Sequence, residues 1–293
     1  MSNESGIKWN DELSDEAYEL SQIEFAAKLV GTIDNKERPH ITFIVSNKAK
    51  NKNQIVWGQF CEGTSKKNIF NNPKQGIFMM TPESPYKFFQ AKVKLDYVKK
   101  EGEEVESFSR MDFYRYNCYM NVHTAFYNEV IAATPVRDLS ILGILKGIFL
   151  NLIGKGGVKS KDADKKLPNL GYELFNGLIS PKFISYIDPN DGYPIIIPCF
   201  QMRAPDHSKL IFTLSQFKKD LEAIPLGTDV ASLAMDLEPL IIHANGKLIK
   251  YDRFRGVKYG IIEIEEVYNP MPPLAGVIYP KIQTRPKVRD FHL

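Results

Sequence analysis

One long internal repeat constrains this chain more than any other feature: residues 155 positions apart match in kind through most of both halves. The offset carries Pro39 to Pro194, Ile41 to Ile196, Lys48 to Arg203, Ile55 to Leu210, Trp57 to Phe212, Phe78 to Leu233, Met80 to Met235, Glu83 to Glu238, Lys92 to Lys247 and Val93 to Leu248. A period of this length predicts a duplicated domain, since solenoid repeats recur about every 20 to 50 residues. Two domains of ordinary size also suit a chain of 293 residues. The expected division is a first unit over 1–135, a connecting segment over 136–166 and a second unit over 167–293.

Periodicity predicts the elements within a unit. Ser14 can cap a helix with Asp15 and Glu16 in its first turn, and Ile23, Ala26, Ala27 and Val30 follow at helical spacing. A helix is therefore expected from about Asp15 to Leu29. The pattern then changes to strands: a segment near Leu29 to Asp34, a turn from Asn35 to Arg38, and the β-branched, alternating PHITFIVSN with Pro39 as its first residue. A polar turn, NKAKNKNQ, leads to the strand IVWGQF, a short helix SKKNIFNN stopped by Pro73, the strand GIFMM, and further strand from Phe88 to Val98 with EGEE as the next turn. The aromatic stretch over 111–132 is expected to complete the first sheet. One helix followed by about six short strands is the pattern of a small closed or split barrel, so the expected fold is mainly β.

Composition narrows the function classes. The 38 basic and 35 acidic residues leave a net charge of +3, too balanced for a nucleic-acid-binding surface, and a hydrophobic share of 43% is that of a globular protein. Cys61, Cys118 and Cys199 are far apart and odd in number, which argues against a disulfide framework or a zinc site and fits a reducing cytoplasm. The acidic start MSNESGIKWNDELSDE lacks an apolar stretch of signal-peptide length. The most apolar run, LSILGILKGIFLNLI over 139–153, contains Lys146 and Asn151 and falls short of the roughly 20 residues of a spanning helix. It reads as a buried or surface-lying helix, and the GKGGVKSKDADKK after it as an exposed linker.

The strongest local chemical signal is Gly63-Thr64-Ser65-Lys66-Lys67-Asn68, between a strand and a short helix. Backbone N–H groups at a helix start, two hydroxyls and two ammonium groups make a phosphate-binding site, and the same residues also read as a capped helix with a solvated basic face. The second unit weighs between these readings. There Lys219, Asp220, Leu221, Glu222 and Ala223 stand in place of Thr64, Ser65, Lys66, Lys67 and Asn68, and two carboxylates would repel a phosphate. An anion site is therefore expected in the first unit alone.

The order LVGTIDNKERPHITFIVSN, IVWGQF, then GTSKKNIFNNPKQGIFMM, with a basic hydroxyl-rich loop running into an N-I-x-x-N-P helix, resembles the pyridoxamine 5'-phosphate oxidase-like FMN-binding split-barrel family. The resemblance covers most of the first half, and the second half matches in its strands but not in its loop. It implies two tandem six-stranded split β-barrels with short flanking helices, forming an intramolecular pseudo-dimer with the flavin ring in the cleft between them. Carried over by position, Thr64, Ser65, Lys66 and Lys67 hold the phosphate and Asn68 fixes the loop. Thr42, Phe43, Ile44 and Asn47, with Trp57, Gly58 and Gln59, line the ribityl chain and ring. Two departures stand out: Lys66 and Lys67 lie closer to Asn68 than the key cation of many relatives, and Met111 to Lys166 lies outside the common core. Within that segment Arg115, Tyr116 and Asn117 either approach the ring or pack as ordinary core and surface residues.

The implied activity is that of an oxidoreductase that passes electrons between bound FMN and a small molecule or a nicotinamide, with no catalytic side chain identified. The same fold also handles haem, for which His123 or His292 would be the axial ligand, or the deazaflavin F420, and a flavin-binding protein without turnover is a third reading. His40, His123, His207, His243 and His292 form no metal-binding pair, and GxSxG, Walker and GxGxxG motifs are absent. The protein is expected in the cytoplasm, without a nucleic-acid partner or a transmembrane span, as a monomeric pseudo-dimer or a homodimer.

Overall fold

The computed structural model describes residues 7–59, 63–112, 121–158, 164–178, 180–236, 240–270 and 276–280. Ser14 caps α1 (Asp15–Gln22), its hydroxyl accepting from the Ala17 N–H at 3.2 Å. The helix stops at Gln22, well short of Leu29. Ala27 and Val30 belong instead to β1 (Ala27–Ile33), an inner strand buried along almost its whole length, whose unbroken apolar run imitates a helix face.

The first sheet continues with β2 (Pro39–Phe43), β3 (Asn47–Asn51), β4 (Gln54–Gln59), β5 (Lys74–Met80), β6 (Tyr86–Lys99), β7 (Thr124–Ala133) and β8 (Arg137–Leu139). Two helices interrupt it, α2 (Thr64–Asn71) and α3 (Glu103–Ser109). The EGEE segment, expected as a turn, opens α3, where Glu103, Glu104 and Glu106 complement the positive end of the helix. The antiparallel order is β2-β1-β5-β6-β7-β4-β3, with β8 on β6. The end strands β2 and β3 are joined only by residues 44–46, so the sheet must curl until its two ends meet. Val30, Ile55, Trp57, Ile77, Phe89 and Phe126 fill the barrel so formed.

After α4 (Ile141–Lys155) and α5 (Asn169–Asn176), the second sheet comprises β9 (Lys182–Ile187), β10 (Pro194–Pro198), β11 (Lys209–Thr213), β12 (Asp229–Met235), β13 (Ile241–Phe254), β14 (Val257–Asn269) and β15 (Gly276–Tyr279), with α6 (Lys218–Glu222) after β11. Its order, β10-β9-β12-β13-β14-β11, is that of the first sheet without β3, whose place is marked by an isolated bridge between Arg203 and Ile211. Five strand starts keep the repeat spacing: Ala27 and Lys182, Pro39 and Pro194, Gln54 and Lys209, Lys74 and Asp229, Tyr86 and Ile241. Ile184, Ile197, Phe212 and Ile262 lie in the core of this second barrel. The fold is mainly β, with two antiparallel sheets and six helices among the described residues.

A third apolar cluster, including Leu29, Ile41, Phe78, Phe88, Phe183, Ile196 and Leu233, joins the two barrels. Pro194 on β10 rests on Gly31 and Gly76, which face each other across β1 and β5. Each barrel also holds the second strand of the other. The Ile41 amide donates to His243 Nε2 on β13 at 3.3 Å, and the Ile196 amide donates to Gln90 Oε1 on β6 at 3.3 Å. Lys92 adds ion pairs to Asp188 and Asp191, at 2.9 and 2.6 Å.

Candidate functional site

Gly63 caps α2 without a side-chain acceptor, and the space where its Cβ would stand is open. The first N–H groups of the helix therefore have no side-chain cap at this position. Helical spacing sets Thr64, Ser65 and Asn68 on the inner face. Asn68 Nδ2 donates to Thr32 Oγ1 at 2.9 Å and ties the helix to β1. The Ser65 and Thr42 hydroxyls share a hydrogen bond of 2.6 Å, and the Thr64 hydroxyl donates to the Tyr268 phenol at 3.0 Å. Tyr268 lies on β14, so the hydroxyl cluster sits at the seam between the barrels.

Two histidines adjoin it. His40 on β2 and His243 on β13 are both buried, with ring centroids 4.6 Å apart, and Tyr268 meets His40 edge-on at 5.3 Å. Burial pushes the His40 imidazole down to about 4, with Asp34 opposing the shift and Arg38 adding to it. Burial, with His40 and Arg38 nearby, holds His243 well below the usual histidine range. Both rings are neutral at pH 7. His243 Nε2 accepts the Ile41 amide, which leaves its proton on Nδ1, an atom with no partner among the described residues. Arg38 bridges the barrels beside this pair, reaching Asp34 at 2.8 Å and Glu266 at 3.0 Å.

The structure gathers some of the expected cofactor residues and separates others. Thr42, Thr64, Ser65 and Asn68 come together, while Lys66 is half-buried and Lys67 exposed. Phe43 packs against the apolar cluster between the barrels. Ile44 and Trp57 lie in the core of the first barrel instead of along the cleft, because strand alternation turns Trp57 inward. There its ring stacks on Phe126 at 4.2 Å and its Nε1 donates to Gln75 Oε1 at 2.9 Å. Gly58 faces Val122 and Phe108, which leaves no room for a ligand at its Cα. Asn47 is buried, and neither atom of its carboxamide has a partner among the described residues. Gln59 is buried at the end of β4.

His123 is exposed, with Nδ1 2.8 Å from the Thr124 hydroxyl. Arg115, Tyr116, Asn117 and His292 lie outside the described residues. The sequence does not mark Glu266 or Tyr268, and His243 reads there only as a histidine without a metal-binding pair, because their partners stand more than 200 residues away. The one available signal was a break in the repeat, where His243 answers to Phe88. Among the described residues no three His, Cys, Asp or Glu side chains group as a metal site.

The corresponding place in the second barrel is filled by an ion pair between the two sheets. Arg137 bonds the buried Asp220 carboxylate of α6 at 2.7 Å, and its guanidinium lies 4.9 Å from the Phe217 ring centre. Helix α4 presses on the same region through Gly143 and Gly147, one turn apart. Gly143 meets Gln216, and Gly147 meets Ser215 and Gln201. Gln216 Nε2 donates to the Ser140 carbonyl and Asn151 Nδ2 to the Gln201 carbonyl. Where the first barrel offers hydroxyls, the second holds a carboxylate already paired with an arginine from β8 of the first sheet.

No family model matches the chain, and no curated protein matches it. Among solved structures, the chain is similar to an FMN-binding protein from Syntrophomonas wolfei subsp. wolfei, 13% identical over 43% of this chain and 86% of that one, with a TM-score of 0.36. It is similar to HupZ of Group A Streptococcus, 16% identical over 44% of this chain and 95% of that one, at a TM-score of 0.34. HutZ, a haem storage protein from Vibrio cholerae, is 13% identical over 43% of this chain and 94% of that one, at a TM-score of 0.33.

Proposed function

We propose that the chain is a duplicated FMN-binding split-barrel flavoprotein that holds one flavin in the cleft beside α2 and acts as an oxidoreductase toward a small molecule or a nicotinamide. The observation that carries this reading is the meeting of the Thr42, Thr64 and Ser65 hydroxyls at a helix start without a side-chain cap, facing the other barrel. A phosphate suits that donor set, since hydroxyls and the N–H groups of a helix start all donate to anionic oxygen. Lys66 and Lys67 add flexible positive charge, and Asn68 keeps the loop on β1. Thr64 and Tyr268, bonded to each other, would both turn to the ligand. Two unpartnered buried groups, the Asn47 carboxamide and His243 Nδ1, also suit a polar ligand. The Arg137–Asp220 pair and α4 in the second barrel support a single flavin per chain.

Bound FMN would supply electron transfer, while the protein orients it and keeps water from its ring. The test is an absorption spectrum of the purified protein, with extraction and mass identification of any cofactor. A two-banded flavin spectrum is the expected result. A Soret band would assign haem and the fluorescence of a deazaflavin would assign F420, while colourless protein that takes up no added FMN would sink the flavin reading. Bleaching of the flavin on anaerobic mixing with NADH or NADPH then separates an enzyme from a carrier.

A further inference from the structure

Helix α4 presents an apolar face that the fold leaves uncovered. Ile144, Gly147, Ile148, Asn151 and Gly154 are buried on its inner side, while Leu142, Leu145, Phe149 and Leu152 are 79%, 57%, 64% and 61% exposed. Ile141 extends the strip at 43%. Scattered exposed leucines are ordinary, but five large apolar side chains on one arc of one helix form a contiguous patch. The helix is already anchored through its inner face, so the strip is not needed to hold it in place.

Charge around the strip selects its partner. The helix contains no acidic residue; Lys146 stands exposed at the edge of the strip and Lys155 in the last turn. Exposed Lys218 and Lys219 follow Gln216, which touches α4 at Gly143. At the other end Gly157 packs on Phe254, which exposed Arg253 and Arg255 flank. An apolar strip with a cationic rim matches an interfacial helix on an anionic bilayer. A second copy docking on the same face would bring the two positive rims together. At about 1.5 Å per residue the helix is about 22 Å long, shorter than the roughly 30 Å of a hydrocarbon core. No helix among the described residues is long and apolar enough to cross a membrane.

We propose that α4 lays its Leu142, Leu145, Phe149 and Leu152 face into the surface of a membrane rich in anionic headgroups, docking the two-barrel body there. The test is sedimentation of the full-length protein with vesicles of phosphatidylcholine alone and of phosphatidylcholine mixed with phosphatidylglycerol, at low and high salt. Binding to the mixed vesicles, weakened by salt and reduced about tenfold in a Leu145→Ser, Phe149→Ser double variant, is expected. Both changes lie on exposed positions, so an unchanged melting temperature certifies that the variant is folded. Three results would overturn the proposal: folded wild-type protein that ignores both vesicles, a double variant that sediments as the wild type does, or a lipid-free dimer that the double variant turns into monomer.

Discussion

The 2.6 Å bond between Ser65 and Thr42 joins a helix start to the neighbouring strand, and Thr64 reaches the opposite barrel from the same turn. If a phosphate sits there, each hydroxyl bond to it contributes about 1.5 to 3 kcal/mol. A Thr64→Ala, Ser65→Ala variant should lose at least roughly tenfold in FMN affinity by calorimetry, with its melting temperature little changed. Unaltered affinity would place the flavin elsewhere. His40 allows a second prediction. Its folded imidazole titrates near 4 and its unfolded one near 6.5, so the neutral ring's contribution is present above pH 6.5 and lost as the pH falls toward 4. The urea midpoint of the wild type should therefore drop across that window, and a His40→Asn variant should drop less. At Gly76 the constraint is steric, since an added Cβ would stand 2.1 Å from the Pro194 carbonyl oxygen, a backbone atom that cannot rotate away. Gly76→Ala should cost about 1 to 3 kcal/mol in urea unfolding, and a neutral result would mean the barrels separate more easily than their packing indicates.

In both units a buried lysine of the first strand reaches back toward the end of the preceding helix. Lys28 Nζ donates to the Ser21 carbonyl at 3.1 Å, and Lys182 Nζ donates to the Gly177 and Ser180 carbonyls at 2.7 and 3.0 Å. Burial, with Arg203 adding to it, lowers Lys182 to about 7, against 10.5 for an unperturbed lysine. Between those values the unfolded chain binds more protons, so stability rises with pH from about 7 toward 10.5. A Lys182→Met variant should show a flatter alkaline rise in melting temperature. At this scale the legible parts of the sequence were those with local causes. Ser14, Pro73 and the apolar run of α4 each marked an element where it occurs. The misread ones had distant causes: β1 looks helical because it is buried on both faces, and α3 looks like a turn because Glu104 finds its partners, Lys50 and Tyr127, on other elements of the sheet.

For the molecule as a whole, the constant offset and the strand patterns made the architecture legible, because a repeat states the same fold twice. The candidate site was legible only on its first-barrel side. Thr42, Thr64, Ser65 and Asn68 carry their chemistry in the local sequence, whereas His243, Glu266 and Tyr268 acquire theirs when the barrels meet. Trp57 shows the converse, since position along a strand does not say which face looks into the cleft. The apolar cluster between the barrels has a further consequence, because both of its walls belong to one polypeptide. Barrels on separate chains drift apart as they are diluted, and any cleft between them is lost with them. Here the tether keeps each wall at a fixed effective concentration before the other. The melting temperature should therefore stay constant as the protein is diluted over a wide range, and a midpoint that falls with dilution would show that a second chain helps to complete the seam.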